Sequence, residues 1–159
     1  MKTIASFTID HIRLQPGLYV SRADAVGDEA ITTFDVRLTA PNREPVLSTG
    51  VMHAIEHIGA TYLRNDSPLA DKVIYWGPMG CRTGFYAIFA GAMTPTDAAA
   101  SIKGVFTAVV NHEGPIPGAS PEACGNYSDM DLDGAKAISR RYLDTVLACL
   151  GPANTEYPN

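Results

Sequence analysis

The chain has 159 residues, 46% hydrophobic and 18% charged, with 12 Lys and Arg against 17 Asp and Glu for a formal net charge of −5. Residues 1–159 suit a single domain, which at this size buries roughly 68–70% of its unfolded surface and folds without staples. The acidic balance excludes a phosphate-backbone binder, no run reaches the about 18–20 apolar residues of a membrane span, and three cysteines are poor material for a disulfide framework.

In chain order, Asp10 and His11 interrupt the start before an apolar signal-peptide core can form. With the sparse cysteines, this gives a cytoplasmic expectation. The low charged fraction points to apolar surface that faces another subunit. Pro16-Gly17 and Gly27-Asp28 mark turns. Over residues 31–38, Phe34, Val36 and Leu38 alternate with Thr33, Asp35 and Arg37, so a strand places the apolar set on one face and Asp35 with Arg37 on the other. Pro41-Asn42 ends it.

A helix is predicted over residues 49–64, capped by Ser48 or Thr49 and closed by Asn65. Strands over residues 72–76 and 84–90 flank Gly77-Pro78-Met79-Gly80-Cys81. Thr94-Pro95-Thr96-Asp97 starts a second long helix, with Thr94 as cap, Pro95 in the first turn and Asp97 at the capping-box position. It runs to about His112 and stops near Gly114. A loop holding Pro115, Pro117, Gly118 and Pro121 precedes a last helix from about Asp131 to Gly151. The expected fold is α+β, an antiparallel sheet with helices packed on one face as a two-layer sandwich.

The chemistry concentrates in His53-Ala54-Ile55-Glu56-His57. Histidines at i and i+4 lie one above the other on a helix face, so both imidazoles can reach one cation. Glu56 sits close enough to act beside it, and HxxEH inverts the HExxH zinc motif. Further ligand candidates are Cys124, Cys81, His11 and His112. Cys124 lies in a loop beside Gly125, where backbone can approach closely. Cys149, inside Val146-Leu147-Ala148-Cys149-Leu150, reads as a core thiol, and His112 as a favourable partner of a helix C-terminus. Cys81 follows Gly80 and precedes Arg82; Arg82 and a nearby dication would lower its pKa and make it a nucleophile or a base.

Four segments in this order resemble one known family: Ser6-Phe7 with Asp10-His11, then His53-Ala-Ile-Glu56-His57, then Pro78-Met79-Gly80-Cys81-Arg82-Thr83-Gly84-Phe85-Tyr86, then Ala123-Cys124-Gly125-Asn126-Tyr127. The chain is similar to the S-ribosylhomocysteine lyase (LuxS) family from Ser6 to about Tyr142. The resemblance implies that His53, His57 and Cys124 bind a divalent metal, Fe²⁺ in the native enzyme and Zn²⁺ or Co²⁺ in its place. It implies Glu56 and Cys81 as the acid–base pair. It also implies a homodimer with sites at the interface, where Ser6, His11 and Arg37 contact substrate held mainly by the other chain.

The implied reaction is a carbon–sulfur cleavage to homocysteine and 4,5-dihydroxy-2,3-pentanedione, the autoinducer-2 precursor of quorum sensing and a by-product of the methyl cycle. One departure stands out. Tyr75-Trp76-Gly77 replaces the family's Asp-Ile-Ser, so Tyr75 does not inherit a charged contact with the homocysteine amino group. Two other readings of the same residues are an HxxEH zinc metallopeptidase and a non-catalytic module closed by a His2Cys2 site with Cys81 as fourth ligand.

Overall fold

The computed structural model describes residues 2–158. Its sheet has four strands, β1 (Gly17–Val26), β2 (Glu29–Arg37), β3 (Val73–Pro78) and β4 (Gly84–Ala90), in the order β1-β2-β4-β3 and antiparallel throughout. The helices are α1 (Thr49–Asn65), α2 (Pro95–Asn111), α3 (Leu132–Tyr142) and a short α4 (Pro152–Thr155). Among the described residues, no helix is long and apolar enough to cross a membrane. The antiparallel α+β expectation therefore holds.

Local chemistry explains the boundaries. The Ser48 hydroxyl accepts the Val51 amide at the start of α1. At α2 the capping box is complete, with Thr94 Oγ1 taking the Asp97 amide and Asp97 taking the Thr94 amide. An acidic side chain at that position also meets the positive end of the helix dipole. Asp131 caps α3 by accepting the Gly134 amide at 2.9 Å.

The core lies between the helices and one face of the sheet. Phe34, Val36, Phe85, Ala87 and Phe89 from β2 and β4 meet Ile55, Ile102, Val105, Phe106 and Val109, all fully buried. Each such large side chain contributes ~1.5–3 kcal/mol of transfer free energy. Trp76 stacks on Phe85 with ring centroids 4.7 Å apart.

The other face differs from a solvated polar face. Asp35 pairs across β2 with Tyr19 on β1 and Tyr86 on β4, and Arg37 pairs with Gly17 and Gly84. Asp35 and Arg37 are 1% and 3% exposed. Alternation assigns them to the correct face, but that face is covered at this end of the strand.

The last predicted helix needs correction. α3 passes at Leu143 into a π-helical turn, residues Leu143–Leu147, and Gly151 starts α4 instead of ending a single helix. The wider turn shifts the helical period. Val146 and Leu147 are both buried, while Cys149 is exposed with its thiol donating to the Thr145 carbonyl at 3.3 Å. Cys149 is not a core residue.

Candidate metal centre and thiol cleft

His53 and His57 share one face of α1, and their Nε2 atoms lie 3.2 Å apart. Cys124 Sγ lies 3.4 Å from His53 Nε2, and the three ligand atoms all fall within 4.8 Å of one another. Tetrahedral bonds of about 2.0–2.1 Å to nitrogen and about 2.3 Å to sulfur set two nitrogens ~3.3 Å apart and nitrogen from sulfur ~3.5 Å apart. The donor spacing fits a single metal ion.

The outer nitrogens decide the tautomers. His53 Nδ1 donates to the Asp129 carbonyl at 2.8 Å and His57 Nδ1 donates to the Pro117 carbonyl at 2.7 Å. A carbonyl only accepts, so each Nδ1 carries the proton and each Nε2 presents a lone pair. Two lone pairs facing each other at this distance repel, and a shared cation relieves them. Carbonyl partners of this kind are the usual outer support of metal-binding histidines.

The loops that supply these carbonyls are tied down. The Asp131 amide donates to the Gly50 carbonyl at 2.9 Å, which brings Asp129 over His53. Gly118 has φ +71, and a Cβ there would stand 3.2 Å from His57 Nδ1, so glycine lets the Pro117 carbonyl reach the ring. Cys124 is placed by turn bonds from its own and the Ala123 amide to the Ser120 carbonyl. The Asn126 amide reaches its sulfur at 3.5 Å, a further contact that holds the side chain in place.

Glu56 approaches the same cluster, with Oε2 3.6 Å from His57 Nε2. It lines a cleft of about 270 Å³ with Met52, His53, Met79, Arg82 and Asp129. Among the described residues, the gathered ligand group is His53, His57 and Cys124, with neither a carboxylate nor Cys81. This disfavours both the carboxylate-completed peptidase site and the closed His2Cys2 site.

Cys81 opens instead into a neighbouring cleft of about 330 Å³, with Phe7, His11, Arg37, Asn42 and Thr83. The turn between β3 and β4 is the shared wall: Met79, Gly80 and Arg82 face the metal cleft, and Cys81 and Thr83 face this one. Arg82 takes φ +59, a left-handed conformation that sends consecutive side chains to different clefts. Arg82 is thus not the cation beside Cys81.

That cation is Arg37. Its Nη1 lies 3.8 Å from Cys81 Sγ and donates to Thr83 Oγ1 at 2.5 Å, while Thr83 Oγ1 lies 3.1 Å from the sulfur. Because Thr83 accepts from Arg37, its own proton is free for the sulfur. Burial pushes the Cys81 thiol up, but hydrogen bonds from the Thr83 hydroxyl and backbone and the Arg37 charge outweigh it, leaving the thiol below its ordinary pKa.

His11 lines the Cys81 cleft with Nδ1 donating to the Ile9 carbonyl at 2.8 Å, which leaves Nε2 for another partner. Ser6 stands apart, in a third cleft with Ser21, Arg22, Thr33, Tyr75 and Tyr86. Gly77 lies beneath the Tyr75 ring, in space a serine side chain would occupy. The unusual Tyr75 and Gly77 are therefore one coupled feature.

Residues 4–151 match the family model for S-ribosylhomocysteinase (LuxS). The chain is 56% identical over 146 residues to the S-ribosylhomocysteine lyase of Finegoldia magna, covering 92% of each chain. It is 52% identical over 158 residues to that of Phocaeicola vulgatus, covering 99% of this chain and 98% of the relative. With the enzyme of Clostridium beijerinckii it shares 49% identity over the full length of both.

Proposed function

The chain belongs to the S-ribosylhomocysteinase (LuxS) family, and from that premise we propose how its residues divide the work of cleaving S-ribosylhomocysteine. The activity is that of a carbon–sulfur lyase, and the products we assign to it are homocysteine and 4,5-dihydroxy-2,3-pentanedione. The observation that carries the reading is the His2Cys cluster beside Glu56, separated by one turn from a thiol that a buried arginine favours as thiolate.

His53, His57 and Cys124 would hold a divalent metal, which when bound would supply Lewis acidity to the sugar oxygens. We take it as Fe²⁺, with Zn²⁺ or Co²⁺ able to replace it, since imidazole and thiolate donors suit all three. Cys81, as thiolate, takes the proton from C2 of the open-chain aldose and returns it to C1, giving the 2-ketone. A second transfer from C3 to C2 gives the 3-ketone. Glu56 moves protons among the sugar oxygens. Removal of the C4 proton then forms the C4–C5 double bond as the C5–sulfur bond breaks, and homocysteine departs as thiolate. The resulting enol tautomerises to the dione, with no external oxidant or reductant.

The active form is a homodimer in which Ser6, His11 and Arg37 complete the substrate's surroundings. Support comes from Ile4, Phe7 and Ile12, which are 55%, 75% and 73% exposed on the N-terminal segment. Phe7 lines the Cys81 cleft, so a second copy covering this segment also dries the thiol. The protein acts in the cytoplasm, where its three free cysteines persist as thiols. Its dione product feeds autoinducer-2 signalling, and homocysteine returns to the methyl cycle.

Metal-replete protein incubated with S-ribosylhomocysteine should release one homocysteine thiol and one dione per substrate consumed. Fully metallated protein that releases no homocysteine overturns the assignment. Phe7→Asp should shift the sizing profile to monomer and remove turnover; a fully active monomer overturns the dimeric site.

A further inference from the structure

The family match ends at residue 151, yet the chain beyond it reaches the thiol cleft from behind. α4 packs on β1, with the Asn154 carbonyl against Gly17 where any Cβ would collide. The segment is fastened locally, with the Gly151 amide donating to Asn154 Oδ1 at 2.8 Å and Asn154 Nδ2 to the Cys149 carbonyl at 3.2 Å. This docking delivers Tyr157. Its ring stacks on Tyr19 at 4.8 Å with an 11° interplanar angle, and its hydroxyl donates to Asp35 Oδ2 at 2.9 Å.

Asp35 is the other half of the arginine clamp. Its oxygens take Arg37 Nε at 3.0 Å and Nη2 at 2.6 Å, a two-point grip that fixes the guanidinium plane and leaves Nη1 aimed at Thr83 and Cys81. Of the neighbouring phenols, Tyr19 donates to the Gln15 carbonyl and Tyr142 to the Gly17 carbonyl, so neither is the donor into this carboxylate. Burial and Asp35 push the Tyr157 phenol well up, so it stays protonated and remains the donor.

We infer that Tyr157 is a positioning residue for the lyase reaction: through Asp35 it sets how strongly and in what direction Arg37 acts on the Cys81 sulfur. A hydrogen bond into Asp35 spreads that carboxylate's charge away from Arg37. More of the guanidinium's field is then left for the thiolate. Removing the hydroxyl pulls Arg37 toward Asp35 and weakens its support of Cys81. The inference rests on the role given to Cys81 above, so its test reads the thiol without relying on turnover.

Tyr157→Phe keeps the ring stack and deletes the donor. In the metal-replete protein, the rate of Cys81 alkylation by iodoacetamide is followed against pH, with Cys81 and Cys149 separated by peptide mass. Other groups at Cys81 are Arg37, Thr83, Tyr86 and His11, and they are common to both proteins. The variant should show a Cys81 profile displaced upward by about half a unit to one unit, about three- to tenfold slower alkylation on the acid side, with metal content unchanged. The acid limb of kcat should move with it. A superimposable alkylation profile overturns the inference. A displaced alkylation profile with an unmoved kcat limb supports the Tyr157 coupling and counts against Cys81 as the proton-transfer base. Tyr157→Leu, which also loses the stack, should displace the profile at least as far; a smaller displacement than in Tyr157→Phe overturns the hydroxyl's role.

Discussion

The metal centre and the thiol cleft share one turn but are assembled by different physics. The metal centre rests on local spacing, two histidines one helical turn apart, joined by a single long-range partner in Cys124. The thiol cleft rests on strand register and burial. Arg37 reaches Cys81 only because β2 pairs with β4, because glycines flank it on both sides, and because Asp35 holds it. A site made from helix periodicity survives changes in its surroundings better than one tuned through a buried ion pair, and the two should fail differently.

Breaking the metal centre gives the largest effect. His57→Ala removes one ligand and should abolish both stoichiometric metal retention and homocysteine release, while the fold, anchored by the core of α1 and the sheet, remains. Metal analysis after gel filtration, with far-ultraviolet dichroism, reads this; full metal occupancy would contradict the ligand assignment.

Breaking the buried pair comes next. Arg37→Met leaves Asp35 buried without its cation, a change that costs about 3–5 kcal/mol when one partner of such a pair is removed. Denaturant unfolding should show that loss with metal content intact. A change within about 0.5 kcal/mol, the range of ordinary surface substitutions, would show that the pair is not the buried element described.

A smaller change sharpens the contrast. Thr83→Val removes the hydroxyl that bridges Arg37 and Cys81. The Cys81 thiol lies below its ordinary pKa, so thiolate-dependent turnover persists to lower pH than an ordinary thiol allows and is lost as pH falls through that lowered value. Losing the bridge should raise the value and move the acid limb of kcat upward by up to about one unit, a loss of up to tenfold below it. Turnover with an unmoved acid limb would detach Thr83 from the thiol.

How much the sequence shows follows the same division. The caps at Ser48 and Thr94, the extent of β4 and the pairing of His53 with His57 depend on neighbours within one turn of helix or strand, so their signals lie close together in the chain. The loop setting of Cys124 makes it a ligand candidate, but its approach to His53 depends on a contact 71 residues away in the chain. Adjacency in sequence points to Arg82 as the cation beside Cys81. A left-handed backbone turns it into the other cleft, and Arg37, 44 residues away, takes the place. Alternation in β2 showed which face Asp35 and Arg37 occupy but not that Tyr157 would cover it, since that depends on where the C-terminal segment docks. Cys149 departs from its apolar run because a π turn shifts the helical period that the run implies.

The gathered ligand group excludes Cys81, and the proposed reaction gives that thiol the base's role from its own cleft. Cys81→Ala and Cys124→Ala, purified side by side, should be assayed for bound metal and for homocysteine release from S-ribosylhomocysteine. Cys124→Ala should lose metal and activity together, whereas Cys81→Ala should keep its full metal and lose about 10²–10⁴-fold or more in turnover, the range of general acid–base catalysis. Metal loss from Cys81→Ala, or wild-type turnover in that variant, would contradict the account.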